Sequence, residues 1–264
     1  MQILDQTILN SLSKPNIASH KGQNGRVLVI AGSDKYHGAL LLAVRAASRI
    51  VDMVYVYSVE TNLQLINNLK SEISTFISVS KEDLWKTVDL VDSVLIGPGL
   101  EESKQTKKVV EKLLKKYTEK KVVVDATALW HVDPYLLHPN CIVTPHSREF
   151  KNVFDCEPTE DNVKKMAKYF QCTIVFTGSV DIISAGKEVW LNKTGNEGMT
   201  KGGTGDVLSG LITALSANNE LLISALAGTY LSGFVGDRLK EKVGTFFNAE
   251  DLIKELGVVW RELF

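Results

Sequence analysis

Residues 195–206 read GNEGMTKGGTGD, and apolar residues follow at helical spacing at 207, 208, 211, 212 and 215. Five of these loop residues are glycine, which allows the backbone to adopt positive φ and to approach a ligand closely. The loop leads into a predicted helix whose first amide groups have no partner within the helix and carry the positive end of its dipole. This stretch therefore predicts a phosphate-binding site at the start of a helix.

Asp206 lies at the start of this predicted helix and has two interpretations. Aspartate is a common N-cap, whose carboxylate accepts a hydrogen bond from the helix backbone. Alternatively, the carboxylate faces the partner of the bound phosphate and removes a proton from a hydroxyl group. The glycines of Gly202-Gly203-Thr204-Gly205 are denser than a simple linker requires. We therefore predict Asp206 as a catalytic base.

The composition is typical of a globular protein. The 264 residues are 44% hydrophobic and 23% charged, with 30 basic and 31 acidic side chains and a net charge of -1. This balance provides no broad basic face, so we expect neither nucleic acid nor an anionic membrane as a partner. Three cysteines without a CxxC motif favour free thiols and a reducing cytoplasm. No signal peptide and no apolar stretch of about 20 residues is recognised.

Apolar runs alternate with helical patterns along the chain. Strands are predicted at 26–32, 53–58, 75–79, 93–99, 121–126, 141–146 and 173–178, and a hairpin is predicted across 185–187. Helices are predicted around 41–50 and at 62–70, 103–118, 159–170, 204–216, 220–240 and 249–256, after a leading helix or strap in 1–24. A short helix is also predicted to open at 147–149. The alternation predicts a single α/β domain over residues 1–264, with a mostly parallel sheet covered by helices on both faces.

Several predicted strands end in similar residues, namely Gly32-Ser33, Gly97-Pro98-Gly99, Asp125, Thr144-Pro145-His146 and Gly178. Ligands of open parallel sheets bind beyond the carboxyl ends of the strands, so we expect these residues to lie along one edge. Asp125 either caps a turn or helps to hold Mg²⁺ through water. His37 either contacts the ligand or is solvated, and the sequence does not decide between the two. Neither a P-loop nor a dinucleotide-binding GxGxxG after the first strand is present.

A recognisable set of motifs is formed by these strand ends together with His37-Gly38-Ala39 and Ile96-Gly97-Pro98-Gly99-Leu100. With them the chain resembles the ADP-dependent NAD(P)H-hydrate dehydratases, which have a three-layer ribokinase-like fold. The most specific part of the resemblance is residues 202–206 combined with Thr144-Pro145-His146. It implies a repair reaction in which ADP phosphorylates the hydroxyl of a hydrated nicotinamide ring. Phosphate then leaves, and the products are AMP, phosphate and NADH or NADPH.

The resemblance also implies roles for individual residues. Asp206 would be the base, and the backbone of Gly203, Thr204 and Gly205 would hold the transferring phosphoryl group. Contacts with the hydrate are implied at Ala39, Gly97, Gly99, His146 and Asp206. Contacts with the adenine nucleotide are implied at Thr177, Gly178, Ser179, Val180, Asp181 and Gly205. The implied cofactors are ADP or ATP with Mg²⁺, for which Asp125 is the candidate ligand through water.

The sequence departs from the family pattern at Ile50-Val51-Asp52, Glu101, Thr127 and Thr177. Two alternative functions therefore stay open. One is an ATP-dependent kinase of the same superfamily acting on a vitamin precursor or sugar, and the other is a non-catalytic nucleotide sensor. The resemblance further implies a homo-oligomer. Because 20 residues precede Lys21, where the resemblance begins, we expect any epimerase that works with this chain to be a separate protein.

Overall fold

The computed structural model describes residues 1–68 and 75–263. The strands are β1 (Gln2–Ile3), β2 (Arg26–Ile30), β3 (Met53–Tyr57), β4 (Ile77–Ser78), β5 (Ser93–Ile96), β6 (Lys121–Val124), β7 (Cys141–Val143), β8 (Thr173–Phe176), β9 (Asp181–Ser184) and β10 (Trp190–Asn192). They form one sheet in the order β1-β10-β9-β8-β7-β6-β5-β2-β3-β4. The seven strands from β8 to β4 in this order are parallel to one another, so their carboxyl ends lie along one edge.

Helices cover both faces of this sheet. They are α1 (His37–Ala47), α2 (Glu60–Asn68), α3 (Leu84–Leu90), α4 (Lys104–Lys116), α5 (Thr127–His131), α6 (Ser147–Phe154), α7 (Glu160–Tyr169), α8 (Thr204–Asn218), α9 (Leu221–Val243) and α10 (Ala249–Leu263). One core contains buried residues of α1, α2, α8, α9 and α10. A second core on the opposite face contains those of α3 to α7. This arrangement confirms the prediction of three layers.

Strand β2 shows why the sequence folds into three layers. Its side chains alternate between the two faces, as in any strand. Val27 and Val29 enter the first core, while Leu28 and Ile30 enter the second, and all four are at most 1% exposed. A strand with an apolar residue at every position is stable only when both faces are covered. The continuous apolar runs of the sequence therefore specify this architecture.

The structure also corrects several predicted elements. Helices α3 and α5 were not predicted, because each is only about two turns long and shows little periodicity. The last helix extends to Leu263 and does not end at 256, since Leu256 and Val259 continue its buried stripe past Gly257. Residues 1–24 contain strand β1 and a 3-10 helical turn at Gln6–Ser11 in place of a leading α-helix. Residues 69–70 of the helix predicted at 62–70 lie outside the described residues.

The β9–β10 hairpin confirms the turn predicted at 185–187. Strand β9 runs antiparallel to β8, and β10 returns antiparallel to β9. Strand β1 then adds to β10 in parallel. Within the described parts of the chain, no helix has the length and apolar character needed to span a membrane.

Candidate active site

A cleft of about 930 Å³ opens at the carboxyl edge of the sheet. It lies between the start of α1, the loop after β5 and the start of α8. Its lining brings together four of the predicted site residues, Ala39, Gly99, Gly203 and Asp206. The other lining residues are Ser33 to Gly38, Leu42, Leu100, Glu101, Glu102, Thr127 and Gly202. These residues are far apart in sequence, and the parallel strand order places them together.

The start of α8 offers unpaired amide groups to this cleft. Gly203 is the N-cap with a φ of 96°, and a Cβ there would lie 2.4 Å from Cδ1 of Leu42. The amides of Gly203, Gly205 and Asp206 donate to no acceptor within residues 1–68 and 75–263. Thr204 differs, because its amide donates to the Lys201 carbonyl at 3.4 Å and its hydroxyl to the Met199 carbonyl at 2.7 Å. The hydroxyl of Thr204 therefore closes the loop, while the other amides are available to an anion.

Asp206 is the third residue of α8 and not its N-cap, so the capping interpretation is wrong. Its carboxylate accepts no hydrogen bond from the part of the chain that the structure describes. Burial, together with the negative charge of Asp125, raises the pKa of Asp206 to about 7. A carboxylate with a pKa near neutrality is a suitable general base, because it holds a proton well and is still ionised. A carboxyl group with a raised pKa in a cleft is a candidate for a functional site.

A second buried acid, Asp125, lies near Asp206, and a third, Glu149, lies near Asp125. Asp125 follows β6, is 8% exposed and accepts a hydrogen bond from the Thr144 hydroxyl at 2.8 Å. Burial raises its pKa, although hydrogen bonds from Thr144 and Ser209 oppose the shift. Burial also raises the pKa of Glu149 to about 7, and the charge of Asp125 adds to this effect. The site therefore concentrates negative charge that a cation would stabilise.

This charge distribution fits a Mg²⁺ ion that arrives with nucleotide phosphates. Among the described residues, no group of three or more His, Cys, Asp or Glu side chains could hold a metal ion. A complete protein cage is therefore not formed by this part of the chain. Mg²⁺ on phosphates commonly keeps several waters and uses only one or two carboxylates. Asp125 fits such a water-mediated role, and its assignment as a metal ligand stays a prediction.

His146 caps the next helix along the edge. Its Nδ1 accepts hydrogen bonds from the amides of Arg148 and Glu149 at 3.1 and 3.4 Å, and its own amide donates to Glu149 Oε2 at 3.0 Å. With Nδ1 acting as acceptor, the proton of the neutral ring lies on Nε2. The ring is half exposed and near enough to Asp125 to lower the pKa of that carboxyl. His146 is therefore held beside the acidic group but outside the lining of the cleft.

The predicted nucleotide segment, 177–181, lies further along the same edge, after β8. The Thr177 amide donates to the Pro145 carbonyl at 3.0 Å, which joins this segment to the β7 loop. Asp181 accepts hydrogen bonds from the Gly178 amide at 3.1 Å and from Asn192 Nδ2 at 3.0 Å. Burial nevertheless raises the pKa of Asp181. Its two oxygens stabilise the turn, while Gly178 and Ser179 are exposed.

Gly97 has a steric function in this edge. Its φ is 134°, and a Cβ there would lie 1.7 Å from the carbonyl oxygen of Asp125. It therefore allows β5 and β6 to lie close where both strands end, and it is not among the residues that line the cleft. Its predicted contact with a substrate stays a prediction.

The structure also places His37, which the sequence left undecided between ligand contact and solvation, and it adds Asn62 and Lys201 as functional candidates. His37 lines the cleft, and its Nδ1 lies 2.8 Å from Oδ1 of the fully buried Asn62. Asn62 carries no local sequence signal, because an asparagine near the start of a helix is usually exposed. Lys201 donates to the carbonyls of Thr245 and Phe247. Its charge therefore ties the glycine-rich loop to the loop before α10.

Comparisons with known proteins find relatives over most of the chain. The chain is 35% identical over 262 residues to the ADP-dependent (S)-NAD(P)H-hydrate dehydratase of Nitrosopumilus maritimus, covering 92% of this chain and 91% of that protein. It is 38% identical over 255 residues to the bifunctional NAD(P)H-hydrate repair enzyme Nnr of Methanocaldococcus jannaschii. That match covers 94% of this chain but only 50% of the bifunctional enzyme, so the chain spans about half of the length of that relative.

A solved structure matches over the whole chain. It is the ADP/ATP-dependent NAD(P)H-hydrate dehydratase of Bacillus subtilis, co-crystallised with ATP and Mg²⁺. The TM-score is 0.86 at 27% identity, covering 100% of this chain and 99% of that one. This likeness confirms the predicted ribokinase-like fold. The family model described as NAD(P)H-hydrate dehydratase matches residues 27–257. Because this match covers most of the sequence, the chain belongs to the NAD(P)H-hydrate dehydratase family.

Proposed function

We propose that this protein dehydrates NADH or NADPH hydrate in a reaction that depends on ADP or ATP. The observation that carries the proposal is the position of Asp206. It lies in an open cleft beside unpaired amides of α8, and its pKa is about 7. A base beside an anion site is the arrangement that phosphoryl transfer to a hydroxyl group requires. Membership of the family supports the same reaction.

The reaction has two balanced parts. Asp206 removes the proton of the ring hydroxyl while the hydroxyl oxygen bonds to the terminal phosphorus of the nucleotide, and AMP leaves when the donor is ADP. The bond between ring carbon and oxygen then breaks, phosphate leaves with its electron pair, and the adjacent ring carbon loses a proton. The amides of Gly203 and Gly205 stabilise the negative charge on the transferring group. The restored ring is that of NADH or NADPH.

The remaining site residues follow the same proposal. Ala39 and Gly99 line the pocket for the hydrated ring, and Gly97 and His146 are assigned to the same ligand on the family resemblance. Residues 177–181 receive the adenine nucleotide, since Gly178 and Ser179 are exposed next to the β7 loop. Asp125 would hold Mg²⁺ through water, and the ion would neutralise charge on the nucleotide phosphates.

We extend the proposal to the setting of the enzyme. Cys141, Cys156 and Cys172 are free thiols, which favours a reducing cytoplasm. A separate epimerase that interconverts the two forms of the hydrate, and assembly into a homo-oligomer, are parts of the proposal that rest on the family resemblance.

The test is to incubate the purified protein with NADH hydrate, Mg²⁺ and either ADP or ATP. We expect the absorbance of reduced nicotinamide to return with at least one nucleotide and not without nucleotide. A stable phosphorylated product without recovery of that absorbance would instead support the kinase alternative. Nucleotide binding without any turnover would support the sensor alternative.

A further inference from the structure

His37 is the first residue of α1, and its side chain is held by a buried partner. Its Nδ1 lies 2.8 Å from Oδ1 of Asn62, and Asn62 Nδ2 donates to Ser58 Oγ at 2.7 Å. Asn62 is 0% exposed and Ser58 is 5% exposed. In the orientation that the structure shows, the oxygen of this fully buried amide faces His37 and its nitrogen faces Ser58, so both of its polar atoms are paired.

Gly32 makes this arrangement possible. It ends the run after β2 with a φ of 76°, and a Cβ there would lie 2.1 Å from Asn62 Nδ2. The glycine therefore leaves the space that the Asn62 amide occupies. Residues from three places along the chain thus combine to orient a single imidazole at the cleft.

The orientation of Asn62 fixes the hydrogen-bonding character of His37. An amide oxygen can only accept, so Nδ1 of His37 donates and carries the proton of the neutral ring. The other nitrogen, Nε2, is then an acceptor. Nδ1 faces Asn62, whereas Nε2 has no hydrogen-bond partner in the described residues. His37 is therefore an oriented acceptor in the lining of the cleft.

We propose that His37 is a substrate-binding residue whose Nε2 accepts a hydrogen bond from the dinucleotide, and that Asn62 is its positioning residue. The inference rests on the proposed function, because it takes the dinucleotide as the ligand of this cleft. The donor is a carboxamide N–H or a ribose hydroxyl. An acceptor fixed in advance adds affinity because little rotational freedom is lost on binding.

Two substitutions of the same residue separate the two nitrogens. His37→Asn keeps a polar atom near the position of Nδ1 and removes the one at Nε2, whereas His37→Gln keeps a polar atom near Nε2. We expect H37N to raise the KM for NADH hydrate about five- to tenfold, the size of one neutral hydrogen bond. The KM for ADP and kcat should stay within about twofold, and H37Q should recover most of the loss. His20→Ala, an exposed histidine outside the cleft lining, is the matched control.

A binding measurement separates this inference from the proposed function. Titration with NADH, followed by its fluorescence, should give the same order of affinities, with wild type and H37Q above H37N. Failure of the wild type to turn over the hydrate would overturn the proposed function. If the wild type turns over normally but H37N, H37Q and wild type share the same KM and NADH affinity, the assignment of His37 is overturned while the proposed function stands.

Nitrogen NMR of the imidazole tests the positioning by Asn62. It should show the Nδ1–H form in the wild type and its loss in Asn62→Ala. A proton on Nε2 in the wild type would contradict the proposal.

Discussion

Asp125 lies close enough to Asp206 for its negative charge to oppose ionisation of the Asp206 carboxyl group. The first acid follows β6 and the second is in the first turn of α8, 81 residues later in the chain. Burial contributes most to the raised pKa of Asp206, and Asp125 adds to it. Asp125, at the end of β6, therefore raises the proton affinity of the proposed base, Asp206.

The first prediction concerns the pH dependence of turnover. Asp206 acts as a base only when ionised, so kcat/KM should fall as the pH drops through its pKa of about 7. Asp125→Asn removes the opposing charge and should move this inflection to lower pH, whatever its effect on the maximal rate. Asp89→Asn, an exposed acid, should leave the inflection in place. An inflection near the ordinary aspartate value of about 4 in the wild type would contradict the account.

The second prediction concerns the stability of Asp206→Asn. The pKa of Asp206 rises from 3.8 in the unfolded chain to about 7 in the folded protein. Between these values the unfolded chain releases its proton first, so the free energy of unfolding falls as pH rises and stays lowered above about pH 7. D206N removes this cost, so at about pH 8 it should raise the Tm and increase the free energy of unfolding by on the order of 2 kcal/mol. It should also abolish turnover, because the proposed base is lost.

The same comparison at about pH 4 provides the internal control for D206N. Both folded forms are then uncharged at this position, and the gain in Tm should be largely lost. A Tm of D206N below that of the wild type at about pH 8 would show that the carboxylate stabilises the fold.

The third prediction separates glycines required by packing from those that are free. A Cβ at Gly97 would lie 1.7 Å from the Asp125 carbonyl oxygen, whereas a Cβ at Gly202 meets nothing within 4 Å. We expect Gly97→Ala to lower the free energy of unfolding by more than about 3 kcal/mol, and Gly202→Ala by less than about 0.5 kcal/mol. Denaturant unfolding measures both values. Equal stabilities would mean that β5 and β6 are further apart where they end.

The fourth prediction tests the phosphate site at α8. A Cβ at Gly205 meets no protein atom within 4 Å, and alanine is favourable in a helix. Gly205→Ala should therefore keep the stability but place a methyl group where the phosphate approaches. The KM for nucleotide should rise about tenfold or more. Gly257→Ala, in the middle of α10, is the control and should leave turnover unchanged. Wild-type kinetics in G205A would place the phosphate elsewhere.

The fold could be predicted to this extent because its signals are local. Runs such as Arg26–Ile30, apolar at every position after the first, specify buried parallel strands, and parallel strands bring their ends to one edge. Strand β1 could not be predicted, since two residues pair with β10 far along the chain. The extent of α10 was also missed, because its glycine at 257 is tolerated where Leu256 and Val259 continue the buried stripe.

The prediction of an anion site at the start of α8 rests on backbone chemistry. The glycines of residues 202–205 indicate an anion site through their density and their place ahead of a helix. The orientation of His37 was not predictable, because it depends on Asn62 and on the space left by Gly32. Nor was the raised pKa of Glu149, which follows from burial and from Asp125 at another strand end. Such properties arise from long-range packing, which a local pattern does not contain.

The most direct test follows the ring oxygen of the substrate. NADH hydrate carrying a heavy-oxygen label in its ring hydroxyl is converted with ADP and Mg²⁺, and the released phosphate is analysed by mass spectrometry. Because the hydroxyl oxygen attacks phosphorus and then leaves with it, the account predicts one labelled oxygen in each phosphate released. Label recovered only in water, with unlabelled phosphate, would contradict transfer of the phosphoryl group to the hydroxyl that Asp206 deprotonates.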